Sequence, residues 1–67
     1  MRETVSYTVP GMHCAHCAAS VSEELEAVAG VEAVDVDLET KLVVVLGEGL
    51  DDASLRAAIE EAGYEAA

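Results

Sequence analysis

Sixty-seven residues carry 14 acidic side chains against three basic ones (Arg2, Lys41 and Arg56), a net charge of −11. Such a surface repels nucleic acid and anionic membranes, whose capture depends on clustered Lys and Arg. Apolar residues make up 52% with only two aromatics, Tyr7 and Tyr64, so the core must be aliphatic. A chain this size buries only about 60% of its unfolded surface, which leaves no room for an enclosed substrate cavity.

The first element is a strand. Val5, Tyr7 and Val9 alternate with Thr4, Ser6 and Thr8, the period expected of a half-buried strand. Pro10-Gly11 stops it. From Ala15 the pattern turns helical, with Val21, Leu25 and Val28 on one face and Glu23, Glu24 and Glu26 on the other. Gly30 is placed as the glycine that ends this helix. "VEAVDVDLE" then alternates again, Val34, Val36 and Leu38 inward and Asp35, Asp37 and Glu39 in water.

Thr40 and its neighbours form the turn into "KLVVVL", a β-branched strand that reads as a hairpin partner. Gly47-Glu48-Gly49 breaks it. Asp51 is placed to cap a second helix, with Leu50 and Leu55 as a hydrophobic staple and Leu55, Ile59 and Ala62 as the inward stripe. Gly63 ends the helix, and "YEAA" begins a short last strand. The order predicts an α+β fold: a ferredoxin-like βαββαβ sandwich, a four-stranded antiparallel sheet with two helices on one face, in a single domain over 1–67.

No apolar run approaches the roughly 20 residues of a membrane span. The start lacks the apolar h-region of a secretory signal, so a cytoplasmic location is expected, and Met1 directly before the first strand suits a free-standing protein. In a reducing compartment, paired cysteines more often bind metal or do redox work than form a structural disulfide.

The chemistry concentrates in "VPGMHCAHCAAS", residues 9–20, where the first strand passes into the first helix. Cys14 and Cys17 are three apart, a spacing that lets both sulfurs point to one side of a helical start. Unpaired N–H groups and the dipole at that terminus favour thiolate over thiol. A structural zinc site takes four ligands; His13 and His16 make up the number, but four donors from five consecutive positions is poor geometry. A thioredoxin-like pair occupies the same junction, yet needs a proline beyond the motif, and Pro10 precedes it. Haem attachment needs His after the second Cys, where Ala18 stands. Two buried structural cysteines fit poorly in a Gly-led polar turn. Cu(I), which is satisfied by two sulfurs and prefers thiolate to nitrogen or oxygen, suits an open pair on a turn.

"GMHCAHC" (residues 11–17) matches the GMxCxxC motif, and "AGYE" (residues 62–65) leads into the last strand. On these residues and on its element order, the whole chain resembles the heavy-metal-associated domain family, and within it the bacterial copper chaperones. The resemblance implies Cu(I) held by Cys14 and Cys17 and passed by ligand exchange to the matching domain of a copper-exporting P-type ATPase, without catalysis. It also implies that Met12 is tucked inward and that Tyr64 lies near the metal loop; the last strand is shorter than the family's usual one. An excised domain of such an ATPase and, from another class, a small thiol–disulfide oxidoreductase stay open, as do Zn(II), Ag(I) and Hg(II) beside Cu(I). Met12 is a packing residue or a ligand. His13 and His16 face solvent or act as auxiliary ligands, His16 also in a copper-bridged homodimer. Tyr64 fills the core or supports the site.

From Thr4 to Ser22 there is no Asp, Glu, Lys or Arg. The metal loop is therefore expected to form a neutral face with an acidic surround, suited to docking against a partner's own cysteine loop.

Overall fold

The computed structural model describes residues 2–66. Its elements are β1 (Glu3–Thr8), α1 (Ala15–Glu26), β2 (Val31–Asp37), β3 (Leu42–Gly47) and α2 (Asp52–Glu61). β3 is the centre of an antiparallel sheet of order β1-β3-β2. Composition explains its place, because a central strand has the least contact with water. Val43 and Val45 are fully buried and Leu42, Val44 and Leu46 half-buried, whereas β1 and β2 turn Thr, Ser and Asp outward.

One cluster joins Tyr7 and Val9 of the first limb, Val43 and Val45 of β3, Val21 and Leu25 of α1, and Leu55, Ala58 and Ile59 of α2. Both helices therefore cover the same face of the sheet. Each fully buried aliphatic side chain there stabilises the fold by about 2 kcal/mol relative to exposure. No helix among the described residues is long and apolar enough to cross a membrane.

A bulge reconciles the sequence of β2 with its pairing. Val31 opposes Gly47 and Val34 opposes Val45, with the register shifting between Val31 and Ala33. The extra residue lets two valines three apart both face inward. Gly47 is buried against the turn that leads into β2: a Cβ there would lie 2.0 Å from the Gly30 carbonyl oxygen, so only glycine permits the approach.

Three sequence expectations are corrected. The sheet has three strands among the described residues, not four. Tyr64, Glu65 and Ala66 form no strand, and Ala67 lies outside the described residues. The Tyr64 N–H that a strand would offer to β1 instead bonds the Ile59 carbonyl (3.1 Å), and the Gly63 N–H bonds Glu60 (2.9 Å), a Schellman closure of α2 with Gly63 at φ +92°. Second, α1 ends at Glu26 and Gly30 belongs to the following turn. Third, Asp51 stands at the N-cap of α2, but its carboxylate accepts from the Ser54 hydroxyl (3.0 Å) rather than from a backbone N–H.

Tyr7 ties β1 to α2. Its hydroxyl donates to Asp52 Oδ1 at 2.6 Å, and Arg56 lies 5.5 Å from its ring centroid while pairing with Asp52 at 3.0 Å. Burial, then the Asp52 carboxylate, pushes the phenol up to about 12, and the phenol's hydrogen bond holds Asp52 below the usual range. Tyr7 keeps its proton more tightly folded than unfolded. Its contribution is full below its unfolded value of 10.0 and is lost as pH rises towards 12. Asp52 acts oppositely, contributing above 3.8 and losing that contribution as pH falls. Tyr7→Phe should lower stability by about 1 kcal/mol at pH 7 in urea denaturation and flatten both flanks of the stability–pH curve; unchanged flanks would contradict the pairing.

Candidate metal site

The site is built where the chain leaves the core. Val9 and Met12 are both fully buried, and the Met12 N–H bonds the Val9 carbonyl at 3.3 Å around the Pro10-Gly11 turn. Two residues later Cys14 is exposed, at the N-cap of α1 with φ −149° and ψ 168°. Its side chain caps no helix N–H, while its carbonyl accepts the first helical bond from Ala18 at 3.1 Å. Cys17, one turn on, is half-buried against the core.

Both cysteines are free, and their sulfurs lie 3.3 Å apart. That is too far for a disulfide, which needs about 2.05 Å. It is close enough for one ion to touch both, given metal–sulfur bonds of about 2.3 Å.

Tyr64 lies beside the cysteine loop. Its ring stands over Gly11, where a Cβ would come within 3.3 Å of Cδ1, and its hydroxyl reaches Cys17. The Cys17 thiol falls from 9.0 to about 7, drawn down first by the Tyr64 hydroxyl, then by the His13 N–H, the Cys14 side chain and the Cys14 N–H, with burial opposing. The Tyr64 phenol is pushed up in return, because losing its proton would end its donation to Cys17. Near neutral pH Cys17 is poised between thiol and thiolate.

The six sequence candidates separate clearly. Cys14, Cys17 and Tyr64 come together at the surface. Met12 lies in the core, its side chain fully buried. His13 takes part through its main-chain N–H, and its side chain, like that of His16, is exposed. Among the described residues no group of three His, Cys, Asp or Glu side chains is arranged to hold a metal. Among the described residues the candidate donors grouped here are two sulfurs, a pair that suits a soft ion of low coordination number. Sequence reasoning missed Lys41, whose ammonium donates to the Met12 carbonyl at 2.5 Å. Its only sequence signal is scarcity, as one of three bases.

Residues 6–65 match the heavy-metal-associated domain family. The "Mercuric transport protein periplasmic component" of Pseudomonas fluorescens is 42% identical over 67 residues, covering 92% of this chain and 70% of that protein. A "Copper-exporting P-type ATPase" of Vibrio cholerae is 38% identical over 64 residues, covering 96% of this chain but 7% of the ATPase. Among solved structures, "CopZ metallochaperone" superposes with a TM-score of 0.92 at 31% identity, covering 97% of this chain and all of that one (100%). The chain belongs to the heavy-metal-associated domain family and is a metal-binding domain of that kind.

Replacing Tyr64 with Phe removes the strongest donor to Cys17. The midpoint of Cys17 alkylation in the reduced, metal-free protein should rise from about 7 towards 9.0, read as iodoacetamide rate against pH. A midpoint that stays near 7 would leave Tyr64 without that role.

Proposed function

We propose that this domain carries Cu(I) on the Cys14 and Cys17 sulfurs and hands it, by thiolate exchange, to the heavy-metal-associated domain of a copper-exporting P-type ATPase in the cytoplasm. The observation that carries this reading is the pair of free sulfurs 3.3 Å apart at the surface, with no third His, Cys, Asp or Glu side chain grouped with them among the described residues. Cu(I) is satisfied by two thiolates, and a site open on one side admits a third from a partner.

The asymmetry of the pair suits transfer. Binding requires both thiols to lose their protons, and Cys17 does so near pH 7. Cys14 is the more exposed sulfur and the one an incoming thiolate meets beside the metal. As the metal leaves, the Tyr64 hydroxyl and the loop N–H groups stabilise the departing Cys17 thiolate, which weakens its hold. No bond in a substrate is made or broken, so insulin-reduction turnover should be negligible.

Docking follows the charge pattern. The segment from Thr4 to Ser22 carries no Asp, Glu, Lys or Arg, and the acids lie beyond it in the chain. Rim charges set encounter rate more than affinity, so transfer to a basic partner should slow as salt rises; a rate indifferent to ionic strength would remove the steering.

A second reading is favoured by the 42% identity to the mercuric transport protein: the same two sulfurs would take Hg(II). Competition titrations at pH 7 with Cu(I), Hg(II) and Zn(II), read by X-ray absorption for ligand number and type, decide between them. The expected result is stoichiometric Cu(I) on two sulfurs, lost in the Cys14→Ser, Cys17→Ser double variant with the fold retained. Full Cu(I) binding by that variant would refute the ligand assignment, and Hg(II) binding without Cu(I) binding would move the function to mercury.

A further inference from the structure

Arg2 pairs with Glu32 at 3.4 Å and Arg56 with Asp52 at 3.0 Å. Lys41, the third base, pairs with no carboxylate among the described residues of this acidic protein. Its ammonium donates to the Met12 carbonyl at 2.5 Å, and its own carbonyl accepts the Val9 N–H at 2.8 Å. Val9 and Met12 are the two limbs of the Pro10-Gly11 turn, so one residue of the β2–β3 hairpin grips both sides of the cysteine loop.

Lys41 does this from a disfavoured backbone. Its φ is +62°, the left-handed region, and it is the non-glycine residue found there among the described residues. Glycine occupies that region without steric cost and any residue with a Cβ does not. A long cationic side chain is kept where glycine would relieve strain, and such outliers persist where the surroundings impose them.

The carbonyl it holds belongs to the Met12–His13 peptide, whose N–H is among the groups that draw the Cys17 thiol down. A peptide is planar, so fixing the oxygen fixes the direction of the N–H. A cation on the oxygen also polarises the amide and strengthens its N–H as a donor, as in other chained hydrogen bonds.

We propose that Lys41 is a positioning residue of the cysteine loop, holding the Met12–His13 peptide so that its N–H meets the Cys17 sulfur and the pair is presented for metal. Only the last step rests on the metal-carrier reading; the first is a property of the metal-free protein. Reduced, metal-free wild type and the variants Lys41→Met, Lys41→Arg and Lys41→Gly are compared by ¹⁵N NMR and amide exchange. Without the ammonium, Met12 amide exchange should quicken about tenfold, the scale of one lost charge-assisted hydrogen bond, and the His13 amide proton should move upfield. Lys41→Arg should restore both. Lys41→Gly should lose loop protection while its global stability, from urea denaturation, stays at or above that of Lys41→Met, which separates anchoring from general weakening.

Wild-type exchange and shift in Lys41→Met would overturn the proposal, as would an Arg variant as impaired as the Met variant. In a second arm, bathocuproine disulfonate should withdraw Cu(I) several-fold faster from Lys41→Met than from wild type; equal rates would overturn the last step. A wild type that holds no Cu(I) would remove the carrier reading, and the amide measurements would still decide the role of Lys41.

Discussion

The burial of Met12 directly ahead of an exposed cysteine is the constraint on which the site depends. Met12 has no exposed surface, yet Cys14 stands in water two residues later. The loop is thereby nailed at its base and open at its crest. A core side chain of this size costs several kcal/mol to truncate, about 2–5 for Met to Ala. The packing that stabilises the domain and the packing that aims the sulfurs are therefore the same. A thioether suits that position, because it is unbranched and adapts to an irregular gap.

Local electrostatics are supplied by neutral dipoles more than by charges. The Cys17 thiolate is met by a phenol and two backbone N–H groups, while the formal charges are spread elsewhere on the chain. Dipoles fixed by the backbone need no reorganisation when a metal arrives or leaves. The segment that carries the cysteines, Thr4 to Ser22, has no Asp, Glu, Lys or Arg of its own. The one cation that acts here, Lys41, does so through a peptide group and not at the sulfur.

Much of this was legible in the chain. The alternation of the first strand named Val5, Tyr7 and Val9 as inward, and the 3.6-residue spacing named Val21, Leu25, Val28, Leu55, Ile59 and Ala62. Six of these nine are buried, and Val5, Val28 and Ala62 are half-buried against the same core. Burial imposes such periods directly, so they can be read without coordinates. The spacing of Cys14 and Cys17 likewise placed them at a helical start. What escaped were features set by long-range contact. The last strand was read from "YEAA", but the Schellman closure of α2 spends the Tyr64 N–H, which local pattern does not reveal. Gly30 looked like a helix end and is instead a point of close approach to Gly47. The grip of Lys41 on a carbonyl 29 positions away has no periodic signature at all.

The closure of α2 carries a consequence for how the domain responds to heat or mild denaturant. Tyr64 lies three residues past the end of that helix, and its N–H is held by the last turn. Fraying of one helical turn, an event far cheaper than global unfolding, would swing the phenol away from Cys17 while the sheet and α1 stay intact. The nucleophilicity of a single sulfur thus becomes an internal gauge of melting at the opposite end of the chain, registering a local opening before any spectroscopic loss of secondary structure.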